Sequence, residues 1–304
     1  MTEHPILVGF DHSPGATAAL RWAQDAAARS RAPVRLVYVY EWTGDATPVP
    51  EAAGWPDPAV RREAEAAVVQ AAAEARAARP EVPLTAAVVD GPAVSTLRKF
   101  SEDARLLVVG HRGLGGFTGM LAGSVAVDLA THARSPVVVV RGCARSGQPV
   151  VVGVDDAPGA EPALGFAFEE AMARGVDLVA VRAWRPPPVP ARYWHDQPPA
   201  AYPPRVDIPP VHEVLVAAEQ ALAEGCLQPW REKYPQLAVH LHLVPHTPAH
   251  ALVAASAGAQ LVVVGARGRG GFPGLRLGSV ARLLVYHAQC PVAVVRDPTH
   301  PTEE

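Results

Sequence analysis

Short, uninterrupted apolar runs alternate along the chain with longer stretches of helical periodicity, and the whole alternation occurs twice. In the first half the runs 6–10, 34–40, 84–89, 106–110 and 137–140 read as strands. The segments 16–30, 59–78, 94–101 and 125–133 carry apolar residues at three- and four-residue spacing and read as helices. The second half repeats this, with strands at 150–154, 178–181, 238–244, 261–265 and 292–295. Its helices are expected at 160–174, 211–224 with the pattern reaching toward 234, 249–257 and 280–288. Strands that alternate with helices indicate parallel βαβ units. Because the strand runs are continuous rather than alternating, they fit a sheet covered on both faces. Such a sheet binds ligands beyond the carboxyl ends of its strands, where strand order reverses. In both halves the first and fourth strands end on chemistry-bearing or permissive residues: Asp11 and Gly110, then Asp155 and Gly265.

The repeat is explicit at residue level. Ile6-Leu-Val-Gly-Phe-Asp11 is echoed by Val150-Val-Val-Gly-Val-Asp155, and Pro136-Val-Val-Val-Val140 by Pro291-Val-Ala-Val-Val295. The offset is 144 residues at the first strand and 155 at the glycine-rich loop, so the second copy carries a net insertion of 155 − 144 = 11. A unit of this size is a whole domain rather than a solenoid repeat, which places domains at 1–142 and 148–297. Most of the insertion falls in the proline-rich segment 185–210, which also carries Tyr193, Trp194 and Tyr202. Such a stretch is extended rather than helical. It reads either as a surface excursion or as a partner-docking loop or lid over the second site. The Ala/Glu/Arg run 61–79 reads as an amphipathic helix facing solvent.

Composition narrows the functional classes. The chain has 304 residues, a net charge of −3 and only two lysines, Lys99 and Lys233, so no broad basic surface invites nucleic acid. Three widely spaced cysteines make neither a disulfide framework nor a zinc motif. The N-terminus enters an apolar strand without a basic, leader-like region, and no apolar stretch approaches the ~20 residues of a membrane span. A cytoplasmic protein is therefore expected.

Two glycine loops carry the candidate chemistry. The first runs Gly110-His-Arg-Gly113 and continues to Gly123-Ser124; the second runs Gly265-Ala-Arg-Gly268 and continues to Gly278-Ser279. Both fit Gly-x2-Gly-x9-Gly-Ser, and a helix follows each. Glycine allows close backbone approach. A helix N-terminus offers unpaired N–H groups and the positive end of a dipole to an anion. Ser124 and Ser279 are placed either to cap the helix or to donate a hydroxyl to phosphate. No Gly-Lys pair exists, which excludes the Walker loop, and neither loop fits GxGxxG. The aspartates Asp11 and Asp155 would serve a ligand, cap the following turn, or both.

These loops resemble the nucleotide-binding signature of the ATP-binding universal stress proteins, and the resemblance extends twice over nearly the whole chain. It implies an α/β fold, two tandem open parallel five-stranded sheets with helices on both faces and strand order 3-2-1-4-5. It implies ATP as ligand, accompanied by Mg2+. By position, adenine would lie near Asp11 and Val39, ribose near Gly110, and the phosphates at Gly113, Gly123, Ser124 and Val125. The second set is Asp155, Val181, Gly265, Gly268, Gly278, Ser279 and Val280. Gly9 and Gly153 stand where relatives can set a proline against ribose. The family also implies pairing of the halves through their fifth strands as an internal pseudo-dimer, and leaves further homodimerisation open. The implied role is a nucleotide-dependent stress or signalling module. The rival readings are a slow ATPase or nucleotidyl transferase on the same scaffold, and a structural dimer module that binds no nucleotide.

Other features carry less. His240 and His242 share a strand face, with His246 and His250 close behind, but no third strand-borne ligand or acidic cluster accompanies them. Gly-x-Ser-x-Gly is absent, and His111 of the first loop is Ala266 in the second.

Overall fold

The computed structural model describes residues 4–41, 58–113, 122–143, 145–157, 159–185, 211–268 and 276–297. The proline-rich segment from 186 to 210 lies outside the described residues, as do the tips of both glycine loops. Ten strands form. The first half contributes β1 (Ile6–Phe10), β2 (Val34–Tyr40), β3 (Leu84–Asp90), β4 (Leu106–Gly110) and β5 (Val137–Val140). The second contributes β6 (Val150–Gly153), β7 (Leu178–Ala183), β8 (Val239–Val244), β9 (Leu261–Gly265) and β10 (Val292–Val295). They form a single sheet ordered β3-β2-β1-β4-β5-β10-β9-β6-β7-β8. Counted within each half, the order is 3-2-1-4-5 as expected.

The implied pairing of the halves through their fifth strands is present, and it joins the two five-stranded sheets into one. β5 and β10 pair antiparallel, with Val137 opposite Val294, Val138 opposite Ala293 and Val139 opposite Val292. Within each half the pairing is parallel. All four residues of both strands are buried. An unpaired edge of such strands would present apolar side chains and unbonded N–H and C=O groups to water. Each edge removes that cost by serving as the other's neighbour.

Side-chain alternation along each strand divides the core into two layers. On one face Ile6, Val8 and Phe10 meet α1 (Pro14–Ser30) and α2 (Pro58–Ala78), continuous with Phe168 of α5 (Glu161–Arg174) and Leu227 of α6 (Val211–Lys233). On the other, Leu7, Leu107 and Val139 meet α3 (Ala93–Ser101) and α4 (Ser124–His132), continuous with α7 (Pro248–Ala255) and α8 (Ser279–His287). No helix is long and apolar enough to cross a membrane among the described residues. The run 61–79 belongs to α2, which buries Ala64, Val68, Ala72 and Ala75 at helical spacing. Gly9 and Gly153 have a packing role: a Cβ at either would lie 2.9 Å from the Cδ1 of Leu97 or Leu252, the equivalent leucines of α3 and α7.

Two sets of helix boundaries have identifiable physical reasons. The helix α6 passes Glu224 and continues through Pro229, because Trp230 and Tyr234 stack beside the fully buried Phe168. That packing outweighs a proline cost of about 3 kcal/mol. The helices α1 and α5 start differently. Ser13 caps α1 by accepting from the Ala16 N–H at 3.1 Å. Its equivalent is Ala157, which has no hydroxyl, and α5 starts only at Glu161 with no side-chain cap. A cap of this kind contributes about 1 kcal/mol, enough to decide whether a first turn forms.

The continuous sheet generates a prediction. A chain ending after the first half would leave β5 as an apolar edge, so it is expected to self-associate through that edge. Sedimentation of the isolated first half should show a dimer at micromolar concentration; a stable monomer would contradict the assignment of β5–β10 as the bond that closes this edge.

Candidate functional site

Each half opens a crevice where its central strands end. β1 and β4 are neighbours. From β1 the chain leaves to α1 on one face, and from β4 it leaves through the glycine loop to α4 on the other. β6 and β9 repeat the arrangement with α5 and α8. Because β5 and β10 are antiparallel, the two crevices lie on opposite edges of the continuous sheet.

Asp11 anchors the turn out of β1. Its Oδ1 accepts from the Ser13 N–H at 3.1 Å and from the Ser13 hydroxyl at 2.6 Å. Asp155 does the same more weakly, accepting from the Ala157 N–H at 3.3 Å. Turn-capping is thus one role of both aspartates. The other carboxylate oxygen of each faces its glycine loop. A Cβ at Gly268 would lie 2.6 Å from Asp155 Oδ2, and one at Gly113 would collide with Asp11 Oδ2. Gly110 is excluded from carrying a side chain by the start of α1: its Cβ would be 2.7 Å from the Gly15 carbonyl oxygen and 2.9 Å from the Ala16 nitrogen. Gly265 is tight as well, at 3.1 Å from the Arg267 carbonyl.

Gly123 and Gly278 behave otherwise. A Cβ at Gly123 meets nothing closer than 3.6 Å, and at Gly278 nothing closer than 3.4 Å. Their φ angles are −74° and −69°, comfortable for any residue. Among the described residues, neither packing nor backbone conformation requires glycine at these positions. Both are N-caps, and neither α4 nor α8 has a side-chain cap. Ser124 and Ser279 are the first helical residues rather than the caps, which corrects the capping role considered for them. The N–H groups of Ser124, Val125 and Ala126, and of Ser279, Val280 and Ala281, therefore have no partner within their helices. The Gly123 N–H donates to the His111 carbonyl at 2.7 Å, and the Gly278 N–H to the Ala266 carbonyl at 2.7 Å. These bonds fix both helix starts against the ends of β4 and β9. The result is a pair of uncapped N–H cradles, each with room for a Cβ at its cap among the described residues.

Cations collect behind the cradles. Burial lowers the Arg141 guanidinium pKa, and Arg112 lowers it further. Burial likewise lowers that of Arg296, followed by Arg267 and Arg276. His111 is lowered by burial and then by Arg141, with the Val140 carbonyl opposing and Arg112 adding to the shift. An anion placed at either loop would relieve this like-charge crowding.

The ends of the second strands differ between the halves, and one sequence correspondence needs correction. Val181 lies opposite Gly153 and matches Val37, which lies opposite Gly9. The residue that matches Val39 is Ala183. Beside Asp11, His12 takes a left-handed φ of 63° and packs edge-on against Phe10 and at a tilt against Tyr38, at ring distances of 4.7 and 5.1 Å. Burial lowers its pKa, and Asp11 partly opposes the shift. The equivalent positions in the second half are Asp156 and Arg182. Arg182 is buried and donates to Asp156 at 3.0 Å and to Glu219 at 2.8 Å. Burial acts to lower its pKa, but the two carboxylates outweigh it and raise it. The Cys226 thiol lies near the Asp155 carbonyl, and its pKa is raised by burial and then by Asp156. None of these residues was selected from the sequence. Aligning the halves at their 144- and 155-residue offsets would have revealed the exchange of His12, Tyr38 and Ala64 for Asp156, Arg182 and Glu219. His240 pairs with Asp177 at 2.9 Å, and no three His, Cys, Asp or Glu side chains converge as a metal site among the described residues.

Comparison with known proteins covers the chain from end to end. The model of the universal stress protein family matches residues 3–141 and again 147–296. Universal stress protein Rv2623 of Mycobacterium tuberculosis is 39% identical, with 96% of each chain aligned. A universal stress protein of Mycolicibacterium smegmatis is 34% identical over 97% of this chain and 98% of its own. Among solved structures, a universal stress protein from Archaeoglobus fulgidus superposes with a TM-score of 0.68 at 19% identity, covering 97% of this chain and 99% of its own.

Two stability predictions follow from this geometry. Gly123→Ser and Gly278→Ser supply the missing caps and are expected to raise stability by a few tenths of a kcal/mol, while Gly113→Ser and Gly268→Ser force a Cβ onto a carboxylate and should cost about 1–3 kcal/mol. Urea denaturation of the four variants checks the contrast, which fails if all four move the midpoint the same way. Arg182→Met should cost about 3–5 kcal/mol by leaving Asp156 and Glu219 without their cation, and the triple change Asp156→His, Arg182→Tyr, Glu219→Ala should recover most of it.

Proposed function

The chain belongs to the universal stress protein family, and from that premise we propose that each half binds one adenine nucleotide, ATP, making the protein a nucleotide-dependent stress-response module of the cytoplasm. The observation that carries the proposal is the pair of glycine N-caps. At both, a helix start is left uncapped and sterically open although the fold itself would accept a side chain. A polyphosphate satisfies the free N–H groups, complements the helix dipole and neutralises the crowded arginines in one step.

In this reading the phosphates lie on Gly123, Ser124 and Val125 in the first half and on Gly278, Ser279 and Val280 in the second. The ribose lies beside Gly110 and Gly265. The base lies toward Asp11 and Val39 in the first half, and toward Asp155 and Ala183 in the second. Gly113 and Gly268 let the loop close onto the aspartates, which brings a carboxylate to the ligand's edge. Mg2+ would be held by phosphate oxygens and water, consistent with the hard-cation preference for oxygen. The second half is the tighter site. It adds Arg276 at the stem of its loop, where the equivalent residue is Leu121. Binding would order the loop on its helix and so change the surface offered to partners.

Calorimetric titration of ATP tests the proposal. Wild type should take up two nucleotides per chain. Gly123→Ser and Gly278→Ser should each lose one binding event, weakened by about tenfold or more through loss of charge-assisted bonds, while remaining folded. Loss of the weaker event in Gly123→Ser and of the stronger in Gly278→Ser gives the ranking, and unchanged stoichiometry and affinity in both would remove the basis for the phosphate cradle.

A further inference from the structure

The helices that carry the two cradles are short, and each ends on an arginine from the opposite half. The helix α4 has nine residues. The last carbonyls of a helix have no partner within it. The Leu129 carbonyl accepts from the Ala133 N–H at 2.9 Å. The next two carbonyls, of Ala130 and Thr131, accept from Arg296 Nη2 at 3.3 and 2.6 Å. The same device works in reverse. Arg141 Nη1 donates to the Val285 carbonyl and, at 3.4 Å, to that of Leu284, both in the last turn of α8. Arg141 and Arg296 are equivalent positions 296 − 141 = 155 residues apart, so the arrangement is a two-fold pair that the β5–β10 junction brings within reach.

Each arginine also belongs to the loop region of its own half. Arg296 Nη1 donates to the Arg276 carbonyl at 3.2 Å, two residues before the Gly278 cap. Arg141 lies close enough to His111 and Arg112 of the first loop to perturb His111 and be perturbed by Arg112. No carboxylate is among the groups that shift either guanidinium. Their hydrogen-bond partners are carbonyls: those of the opposite half's helix end and, for Arg296, the Arg276 carbonyl as well. A cation at that end stabilises the helix dipole, and a helix of this length spans about 13 Å as a rigid rod. Whatever fixes its last turn also fixes the first-turn N–H groups.

We propose that the cradles are positioned in trans: Arg141 sets the α8 cradle of the second half, and Arg296 sets the α4 cradle of the first. Both are positioning residues that touch no nucleotide bound at the site they control. The inference rests on the nucleotide-binding reading above, and its own content is that the effect crosses from one half to the other. Arg141 gives the cleaner test, because Arg296 also bonds the loop stem of its own half.

The experiment uses the full chain. With the first site blocked by Gly123→Ser, adding Arg141→Gln should weaken ATP binding at the second site about tenfold, as expected for losing bonds to a charged donor. With the second site blocked by Gly278→Ser, the same substitution should weaken the first site clearly less than it weakens the second, because there Arg141 contributes only charge behind the loop and no hydrogen bond to the cradle helix. Arg141→Lys, which keeps the charge but not the planar fork, should give an intermediate loss and serves if the Gln variant does not fold. Equal losses at both sites, or a loss confined to the first, would overturn positioning in trans. Amide hydrogen exchange without nucleotide gives an independent readout. Arg141→Gln should accelerate exchange in α8 and leave α4 unchanged, and unchanged exchange in α8 would also overturn the inference. If wild type takes up no ATP, the nucleotide reading falls, and the exchange measurement still decides whether α8 is held from the other half.

Discussion

Val137, Val138 and Val139 of β5 pair with Val294, Ala293 and Val292 of β10, and this antiparallel pairing sets the plan of the molecule. It joins two five-stranded halves into one sheet and makes each core layer continuous from one half to the other. It also turns the two crevices to opposite edges. Because the halves meet head to tail at this junction, the residue that ends each fifth strand reaches the final turn of the other half's cradle helix. A parallel junction would not have placed Arg141 and Arg296 opposite those carbonyls. The pairing is first a solution to an edge problem, since apolar strands with unbonded backbone are costly in water. The cross-half arginine bonds are a consequence of that solution.

The glycines of the loops are of two kinds. Gly110, Gly113 and Gly268 lie where the chain folds back on itself, against the start of α1 or against an aspartate carboxylate. Gly123 and Gly278 would place a Cβ in no worse than ordinary van der Waals contact with the described residues, and they sit in ordinary dihedrals. At an N-cap, Ser, Asp or Asn would stabilise the helix by satisfying one of its free N–H groups. Glycine leaves those groups available. Local stability and availability to a ligand pull in opposite directions at these positions, and in both halves the residue present favours availability.

The halves share a framework and differ in what surrounds it. Ser13 caps α1 whereas Ala157 leaves α5 to begin later. An aromatic group of His12, Phe10 and Tyr38 in one half gives way to a buried Arg182 between Asp156 and Glu219 in the other. The exchange is coordinated: a lone arginine at position 182 would carry a large desolvation cost without both carboxylates. These differences flank the ends of the first two strands in each half, the side assigned to the base. The cradles themselves keep the same geometry.

Much was legible in the sequence, because it is carried by local pattern. Apolar runs, helical spacing, the doubled Gly-x2-Gly-x9-Gly-Ser spacing and the aspartates at the ends of β1 and β6 need only neighbours along the chain to be meaningful. Together with the family resemblance they gave the strand order of each half and pointed to the loops. Three matters needed tertiary structure. The antiparallel register in which the expected fifth-strand pairing closes into one sheet depends on how the two edges meet. The register that pairs Val181 with Val37, and Ala183 with Val39, depends on strand alignment across the sheet. The division of glycines into those the fold requires and those it does not depends on atoms remote along the chain, such as Gly15 against Gly110. The roles of Arg141, Arg296 and Arg182 were hidden for the same reason. As letters they read as the end of an apolar run or an isolated charge, and only folding brings the carbonyls and carboxylates that they bind within hydrogen-bonding distance.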